Sequence, residues 1–524
     1  MDFDVVVIGS GFGGAISACR LAEAGYKVLI LERGRRWDKH SYPRKPGDMW
    51  LWSHDAPEKC HGWLDLHLFP HMSVAAGAAV GGGSLIYANI SCEAPPSAFE
   101  NRWPQEITYN ELKPHYDTVA KFMNVQKVPA NQWTERMKLM KEGAGKIGAG
   151  DRFRQVDLAV SFDNDWTYAQ NDPHNENKSR RFINAQGVEQ GTCVHLGNCD
   201  IGCDVDAKNT LDRNYIPWAE KHGAQLRALH LVTNVEPVAG GYKVSYDRLT
   251  DGTRVAGSQT ARIVVVAAGS LGSTELLLRC REITKSLPDV SPFLGRNWSS
   301  NGDFLTPALY GHRDVSPSRG PTIACVIDFL DRSVAGQSFW VQDGGLPNLL
   351  GDFINSGDLS SGATGKLLIE ALKHMLHDVE PFRNVMPWFG QGVDAGNGVL
   401  RLKKPLLSNT PALHLDWDVT DSRPAIQALV DMHLKLSYAT GGLPVVPPTW
   451  SLLHDLVTPH PLGGCNMGSS RDTGVVNHAG EVFGYKNLYV CDGAVVPRAV
   501  GVNPSRTIGA IAERTAQIIK TEAR

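Results

Sequence analysis

The glycine run from Gly9 to Gly14 (G-S-G-F-G-G) and the acidic Glu32, eighteen residues beyond it, have types and spacing that suit ligand binding. Gly9 permits a tight turn, Gly11 lets the backbone approach a pyrophosphate, and Gly14 allows a helix to pack closely on a strand. A carboxylate at the distance of Glu32 is placed to accept hydrogen bonds from ribose hydroxyls. These residues therefore predict a dinucleotide site.

Three cysteines form a second group. Cys193, Cys199 and Cys203 all lie in one stretch of eleven residues, which also contains glycine. Clustered thiolates suit an iron–sulfur cluster or zinc, and His195 is a candidate fourth ligand for zinc. A redox-active disulfide, or three reduced cysteines in a structural loop, would explain the same spacing. The other seven of the ten cysteines are scattered, which argues against a disulfide framework.

The first glycine run lies between two predicted strands. Residues 4–8 and 27–31 predict strands, because all of them except Asp4 and Lys27 are aliphatic, and residues 15–24 predict an alanine-rich helix closed by Gly25. The N-terminus of that helix offers free N–H groups and the positive end of its dipole to phosphates. Glycine fingerprints also occur by chance, so it is the combination with both strands, the helix and Glu32 that favours a dinucleotide site.

Segments of the same type recur along the chain. A second glycine run occupies residues 77–85, and residues 263–268 predict a buried parallel strand that turns into a helix. Residues 487–490 predict another strand, and residues 504–521 predict the final amphipathic helix. The sequence therefore predicts an α/β fold built on a Rossmann-like parallel sheet.

A second, α+β domain is predicted from the intervening regions. A chain of 524 residues exceeds what one hydrophobic core usually serves. Residues 93–195 and 305–455 are richer in aromatic, proline and charged residues, and we predict that these two insertions form one substrate-binding domain. Residues 1–92, 196–304 and 456–524 would then form the nucleotide-binding domain.

Composition limits the classes of partner. The net charge of −3 gives no basic field for nucleic acid, and the longest apolar stretches have the length of strands, so we predict no nucleic-acid partner and no integral membrane segment. The chain enters its first predicted strand at once, without room for a signal peptide. A cytoplasmic location is the expectation.

Five stretches match one family in type and in order: residues 9–32, 77–89, 267–279, 460–465 and 492–504. Through them the chain resembles the glucose–methanol–choline (GMC) oxidoreductases, and within that family the bacterial cholesterol oxidases and their close relatives. The resemblance covers the nucleotide-binding half well and the other half poorly. It implies non-covalently bound FAD over the parallel sheet, with the sheet of the second domain covering the flavin.

The resemblance also implies which residues contact FAD. Gly9, Gly11, Gly14 and Glu32 would hold its ADP part, Gly81, Gly82, Gly83 and Ser84 would line the pyrophosphate and isoalloxazine side, Val235 would meet the adenine through its backbone, Asp492 and Gly493 would contact the ribityl and phosphate region, and the Val502 amide would meet the pyrimidine end of the flavin.

His460 and Asn503 would be the catalytic pair by the same resemblance. Oxidation of an alcohol removes a hydroxyl proton and a carbinol hydride; a histidine can take the proton and an amide can donate to the oxygen. FAD takes the hydride, because no protein side chain can. The structural alternatives are a histidine fixed in a turn by Pro461 and an asparagine that caps a helix begun at Pro504.

One departure from the family concerns the substrate half. The segment 339–347 aligns with the region in which cholesterol oxidases carry a glutamate base, and the aligned residue here is Gln342, which accepts no proton at physiological pH. Asp343 is adjacent but would point to the other face of a strand. The double-bond isomerisation that the glutamate performs is therefore expected to be missing.

The other departure is the cysteine spacing, which also occurs in the catalytic subunits of some GMC sugar dehydrogenases, where three thiolates hold a 3Fe–4S cluster.

The expected function is FAD-dependent oxidation of a lipophilic, sterol-like secondary alcohol to the ketone or aldehyde, with oxygen or another electron acceptor. The alternatives are a sugar or polar-alcohol dehydrogenase that passes electrons through such a cluster, and a flavoprotein without alcohol turnover. His460 and Asn503 argue against the last.

Overall fold

The computed structural model describes residues 1–45, 47–168, 175–250, 252–348, 382–404 and 410–522. Its strands are β1 (Phe3–Ile8), β2 (Val28–Leu31), β3 (Leu64–Phe69), β4 (Met72–Gly77), β5 (Phe153–Gln155), β6 (Arg181–Ile183), β7 (Glu189–Gly191), β8 (Gln225–Arg227), β9 (His230–Val238), β10 (Gly241–Thr250), β11 (Thr253–Val266), β12 (Phe304–Leu309), β13 (Cys325–Val334), β14 (Gln337–Asp343), β15 (Val385–Gly392), β16 (Val399–Lys403), β17 (Ala412–Asp416), β18 (Leu443–Pro444), β19 (Leu456–Thr458) and β20 (Leu488–Val490). Its α-helices are α1 (Phe12–Glu23), α2 (Tyr109–Phe122), α3 (Glu135–Lys146), α4 (Tyr215–Lys221), α5 (Gly269–Glu282), α6 (Arg423–Ala439), α7 (Pro448–Leu453) and α8 (Ser505–Glu522).

The larger sheet has seven strands in the order β8-β2-β1-β11-β10-β9, with β20 also pairing β11. β1 lies parallel to β2 and β11, and the side chains of Val5, Val6 and Val7 are fully buried. Strands covered on both faces need apolar residues at nearly every position, which is why residues 5–8 form a continuous aliphatic run. The predicted strand–helix–strand unit is confirmed as β1, α1 and β2.

Strand β11 has antiparallel and parallel neighbours along different parts of its length. Its first part pairs antiparallel with β10, and its last residues, Ile263 to Val266, lie between the parallel strands β1 and β20. The predicted strand at 263–268 is confirmed, although it ends at Val266, and α5 begins at Gly269. The order and direction of these strands confirm the Rossmann-like α/β prediction.

The C-terminal residues complete this sheet. β20 pairs parallel with β11, and α8 packs against α1. The contact with α1 is close: a Cβ built on Gly13 would lie 1.5 Å from Cys491 O, so only glycine fits there. The predicted final helix over 504–521 is confirmed as Ser505–Glu522.

A second sheet of six strands has the order β18-β12-β15-β14-β13-β5, and its neighbouring strands are antiparallel. Helix α6 packs on β12, β14 and β15, and Trp340 and Trp388, which lie on opposite faces of the sheet, are both completely buried. β5 comes from the predicted insertion 93–195, and the other five strands come from residues 304–444. However, α2, which also belongs to the first insertion, packs on α8. The boundaries of the two domains stay a prediction.

A buried ion pair fixes the end of β14. Arg136 of α3 and Asp343 are both completely buried, with Arg136 Nη1 3.0 Å from Asp343 Oδ2. Asp343 Oδ1 also accepts hydrogen bonds from the Ala324 and Cys325 amides, at 2.7 and 2.8 Å. Because side chains alternate along a strand, this anchoring aims the preceding Gln342 at the opposite face. Among the described residues, no helix has both the length and the apolar character to cross a membrane.

Candidate active site

His460 lies just after β19 and contacts a carboxylate that the sequence did not single out. Its Nδ1 is 2.9 and 3.0 Å from the two oxygens of Asp303, which is almost fully buried. Thr458 Oγ1 donates to Asp303 Oδ2 at 2.6 Å and accepts from His460 N at 2.9 Å, which fixes both groups. An ionised carboxylate only accepts, so this geometry assigns the imidazole proton to Nδ1 and leaves a lone pair on Nε2.

Asn503 presents an amide to that lone pair. Asn503 Nδ2 lies 3.3 Å from His460 Nε2, and Asn503 Oδ1 accepts a hydrogen bond from Gln342 Nε2 at 2.7 Å. The second bond sets the orientation of the Asn503 amide, with its N–H groups directed toward the imidazole. The structure thus brings together three predicted residues from distant parts of the chain. Gln342 Oε1, in turn, is buried without a hydrogen-bond partner.

Gln391 of β15 completes the network and was also missed in the sequence. Its Oε1 accepts from Trp340 Nε1 at 2.8 Å and from Gln342 Nε2 at 3.3 Å, and its Nε2 lies 3.0 and 3.5 Å from the two nitrogens of His460. Trp340 and Gln391 are directly opposed across the β14–β15 ladder. Gln391 has no motif around it, and only this strand pairing brings it to His460.

The Asp303–His460 contact gives a prediction about the rate of flavin reduction. We expect Asp303→Asn to slow flavin reduction by alcohol roughly 10- to 100-fold, the usual cost of removing a partner that orients a functional imidazole. An amide in place of the carboxylate no longer stabilises the imidazolium that forms when His460 takes the hydroxyl proton. The measurement is the rate of anaerobic flavin reduction.

Asp394→Asn is the matched control, because Asp394 is also buried but binds Ser299 and Ser300. An Asp303→Asn enzyme with the wild-type rate would mean that the carboxylate only packs against the histidine.

The first glycine run is shaped as a cradle. A Cβ built on Gly9 would lie 2.3 Å from Ala267 O, and one on Gly14 would lie 2.1 Å from Gly9 O, so packing requires glycine at both positions. Within 4 Å, a Cβ on Gly11 would meet Gly82 Cα alone, at 4.0 Å. The protein's own packing does not require glycine at position 11, and the open space at the N-terminus of α1 fits a phosphate group.

The second glycine run touches the first. A Cβ built on Gly82, whose φ is +51°, would lie 2.7 Å from Gly11 Cα, whereas a Cβ on Gly83 would meet nothing within 4 Å. Ser84 Oγ donates to Gly81 O at 2.7 Å and accepts from a backbone N–H, so its hydroxyl holds this turn. Two open glycine positions on facing loops fit a pyrophosphate between them.

Ser10 joins both runs to Glu32. Ser10 Oγ donates to Glu32 Oε2 at 2.6 Å and accepts from Gly81 N at 3.0 Å, and Ser10 N also donates to Oε2, at 2.9 Å. Gly34 N donates to the other oxygen at 2.8 Å. Burial raises the pKa of Glu32, against these hydrogen bonds, which lower it. A carboxylate with three donors retains room for one more, and the ribose contact stays a prediction.

Asp492 and Gly493 fasten the C-terminal strand to the neighbouring loops. Asp492 Oδ2 accepts from Gly269 N at 2.8 Å and from Ser273 Oγ at 2.5 Å, at the start of α5. Burial raises the pKa of this carboxyl. A Cβ built on Gly493 would lie 3.2 Å from Pro461 O, beside the turn that carries His460. This pair therefore connects the nucleotide sheet with the loop that carries His460.

Asn301 holds the loop that contains Val502. Its Oδ1 accepts from the amides of Val500 and Gly501, at 3.0 and 3.1 Å, and its Nδ2 donates to Val502 O at 2.9 Å. Asn301 is completely buried, with φ +58°, a conformation that asparagine adopts more readily than most residues. The clamp fixes the backbone on both sides of the Val502 amide, the predicted flavin contact.

Val235, the residue predicted to meet adenine, lies in the edge strand β9 and is completely buried. Its N–H donates to Cys280 Sγ at 3.4 Å. The backbone amide is therefore engaged within the protein, so a contact with adenine would have to use the carbonyl group.

The three clustered cysteines carry free thiols. Cys193 is buried, Cys199 and Cys203 are half-buried, and Cys203 Sγ accepts a hydrogen bond from Ala207 N at 3.2 Å. Burial raises the pKa of Cys193 well above its usual value and that of Cys203 to about 11. In the part of the chain that the structure describes, the three sulfur atoms do not all lie within 4.8 Å of one another, as the ligands of one tetrahedral zinc ion must. A single zinc ion does not fit this loop.

The prediction of His195 as a fourth zinc ligand is wrong. Its Nδ1 lies 2.6 Å from Tyr168 Oη and its Nε2 lies 3.1 Å from Gln132 Oε1, so both nitrogens are engaged. Its ring stacks on Trp166 with the centroids 4.5 Å apart. Burial lowers the pKa of His195 to about 3, which keeps it neutral. The side chain is part of an aromatic cluster.

Two histidines ahead of the second glycine run meet a carboxylate. Among the described residues, His54, Asp65 and His67 are the set of three metal-type ligands within 4.8 Å of one another. Arg33 already pairs with Asp65 Oδ2 at 2.6 Å. Burial raises the pKa of Asp65, but Arg33 and the two imidazoles outweigh burial and hold it well below its usual range. The charge of Asp65 is thus compensated within the protein, as expected for a packing role.

Comparisons with known proteins agree with the α/β fold described above. The family model described as GMC oxidoreductase matches residues 396–512, and one described as NAD(P)-binding Rossmann-like domain matches residues 7–51. A cholesterol oxidase of Acinetobacter baumannii is 30% identical over 99% of this chain and 94% of its own length. A gluconate 2-dehydrogenase flavoprotein of Pantoea cypripedii is 23% identical over 99% and 94%. The solved pyridoxine 4-oxidase from Mesorbium loti shares the fold, with a TM-score of 0.62 and 16% identity over 98% of each chain.

Proposed function

The chain belongs to the GMC oxidoreductases, FAD-dependent enzymes that act on CH–OH groups, and from that premise we propose that it oxidises a lipophilic, sterol-like secondary alcohol to the ketone. The observation that carries the proposal is the contact of His460 Nε2 with the Asn503 amide, backed by Asp303. The similarity to a cholesterol oxidase over nearly the whole chain supports the sterol-like substrate class.

His460 and Asn503 would act on different atoms of the substrate hydroxyl group. His460 Nε2 takes the hydroxyl proton, and the Asp303 carboxylate stabilises the imidazolium that results. Asn503 Nδ2 donates to the alcohol oxygen and holds the carbinol in one orientation. Bound FAD supplies the hydride acceptor, which no side chain provides. A flavoprotein without alcohol turnover would need neither the base nor its carboxylate.

We propose that the cofactor is held non-covalently. The open space at Gly11 and Gly83 would take the pyrophosphate, Glu32 the ribose and the Val502 amide the flavin end, as the sequence predicts. Asp492 would contribute to the ribityl and phosphate region by holding the first turn of α5 in place, because its carboxylate already accepts hydrogen bonds from Gly269 N and Ser273 Oγ.

The substrate class is tested by anaerobic reduction of the bound flavin. We expect sterols to bleach its visible absorption faster than aryl alcohols or sugars, and oxygen to restore the absorption directly. Sugar-dependent bleaching without a response to sterols would contradict the proposal. Oxygen uptake measured beside reduction of an artificial dye separates oxygen from other electron acceptors.

Gln342 gives a prediction about the product. A neutral amide accepts no proton at physiological pH, so a 5,6-unsaturated 3-hydroxysterol should yield the unconjugated ketone. Chromatography and ultraviolet absorption distinguish it from the conjugated enone. Gln342→Glu should introduce isomerisation, because the carboxylate would stand in the same network beside Asn503. Enone formation by the wild-type enzyme would place the isomerising base elsewhere.

The second candidate is a sugar or polar-alcohol dehydrogenase with a 3Fe–4S cluster. The similarity to a gluconate 2-dehydrogenase flavoprotein and the backbone N–H bonded to Cys203 favour it. Anaerobically purified protein would then contain iron and acid-labile sulfide in amounts comparable to flavin. Cys199→Ser would abolish electron delivery to an external acceptor and leave flavin reduction intact. Absence of iron, with normal turnover by that variant, makes the loop structural.

A further inference from the structure

We propose that Trp340 is a positioning residue whose indole N–H fixes the direction of the hydrogen bonds around His460, so that an amide N–H of Asn503 faces the substrate oxygen. The inference rests on the proposed function and adds a role that requires no contact with substrate or cofactor. Trp340 lies in β14 and is completely buried, so its N–H cannot turn to solvent.

Trp340 sets the orientation of the Gln391 amide. The two residues are directly opposed across the β14–β15 ladder, and Trp340 Nε1 donates to Gln391 Oε1 at 2.8 Å. An indole N–H can only donate, so the amide atom that faces it must be the oxygen. The nitrogen of Gln391 then lies on the other side, at 3.0 and 3.5 Å from the two nitrogens of His460.

The same constraint passes to Asn503 through Gln342, whose side chain shares the sheet face of Trp340. Gln342 Nε2 donates to Gln391 Oε1 at 3.3 Å and to Asn503 Oδ1 at 2.7 Å. Because the oxygen of Asn503 is engaged there, its Nδ2 faces His460 Nε2, at 3.3 Å. Three amides thus take their direction from one indole.

The alternative is the same chain of amides with every bond reversed. An amide rotated by 180° exchanges oxygen and nitrogen with little change in shape. Gln342 does not select a direction, because its Oε1 has no partner and its nitrogen would have none after reversal. Reversal would turn Asn503 Oδ1 toward the substrate oxygen, where it repels the developing negative charge. It would also leave the buried N–H of Trp340 without an acceptor, which disfavours it.

His460 cannot hold this direction throughout the reaction. While its Nδ1–H donates to Asp303, the lone pair on Nε2 favours an amide donor. Once His460 has taken the hydroxyl proton, both of its nitrogens donate, and Nε2 favours an amide oxygen instead. The indole N–H of Trp340 does not change during the reaction. It therefore keeps Asn503 donating to the oxygen while the ketone forms.

Trp340→Phe keeps an aromatic ring and removes the N–H. We expect the limiting rate of anaerobic flavin reduction to fall roughly tenfold, less than the loss of an oxyanion donor itself. The apparent dissociation constant of the alcohol should stay within about twofold, because the donor acts mainly on charge that develops in the transition state. A tryptophan analogue with a benzothiophene ring at position 340 keeps the shape, lacks the N–H and should behave alike.

Trp388→Phe is the matched control. Trp388 is also completely buried in the neighbouring strand β15, but on the opposite face of the sheet, so its replacement should leave the rate near that of the wild type.

A double-mutant cycle with Asn503→Ala separates positioning from packing. In that background Trp340→Phe should lower the rate little further, because no amide remains at position 503 to be oriented. The same fold loss in both backgrounds, as packing alone would give, would overturn the inference. So would a wild-type rate for the enzyme with the benzothiophene analogue. A wild-type rate for Asn503→Ala alone would instead overturn the catalytic pair of the proposed function, and this inference with it.

Discussion

Flavin reduction by the alcohol should slow about 10²–10⁴-fold when His460 is replaced by alanine, with FAD still bound. The imidazole is the one group of the site with a lone pair aimed at the Asn503 amide and a carboxylate behind it, at 2.9 Å. Its removal leaves the hydroxyl proton without an acceptor. Asn503→Ala should act in the same direction and less strongly, because the proton acceptor remains.

Anaerobic stopped-flow absorbance measures this rate separately from reoxidation, and the flavin content of each variant shows that binding is unaffected. His312→Ala serves as the control, since His312 is an exposed histidine. Near-normal reduction by the His460→Ala enzyme would assign His460 and Asn503 to the structural roles of turn and helix cap.

Gly11→Val should abolish FAD binding without unfolding the protein. The space beside Gly11 is free of protein atoms other than Gly82 Cα at 4.0 Å, so a branched side chain would occupy the place of the pyrophosphate and little else. Flavin content after purification and FAD titration by fluorescence measure the loss. Circular dichroism and the unfolding temperature should stay near those of the wild type.

Two other glycines provide the controls. Gly145→Val in α3 also enters open space, and it should keep its flavin. Gly14→Val should fail to fold, because its Cβ would lie 2.1 Å from Gly9 O. Full flavin content in the Gly11→Val protein would contradict the assignment of the first glycine run as the pyrophosphate-binding site.

The sequence predicted the nucleotide-binding unit well because its determinants are local. The turn, the helix start and the acidic residue at Glu32 follow one another within one strand–helix–strand unit, and each imposes its own residue type. The same is true of β20, where the apolar strand is followed, after Cys491, by Asp492. The structure of such segments can be predicted without knowledge of the rest of the chain.

The residues that support the proposed catalytic pair, His460 and Asn503, could not be predicted in this way. Asp303 lies beside His460, and Gln391 lies opposite Trp340, only after strands distant in the sequence have paired. Neither residue has neighbours whose types reveal its contact. For His195 the local sequence suggested a contact that the fold does not make. Its position among the cysteines suggested a metal ligand, but its backbone, at φ +61°, directs the ring toward an aromatic cluster.

The placement of β20 and α8 sets the order in which a living cell can assemble this protein. The ribosome completes Gly11 and Glu32 almost at once, but about 450 residues, on the order of a minute of translation, separate them from the strand and helix that close the sheet beside them. Until those residues emerge, the backbone of α1 at Gly13 lacks the segment it packs against. We therefore expect the nucleotide site to be complete, and able to hold its cofactor stably, only after the C-terminal residues have emerged.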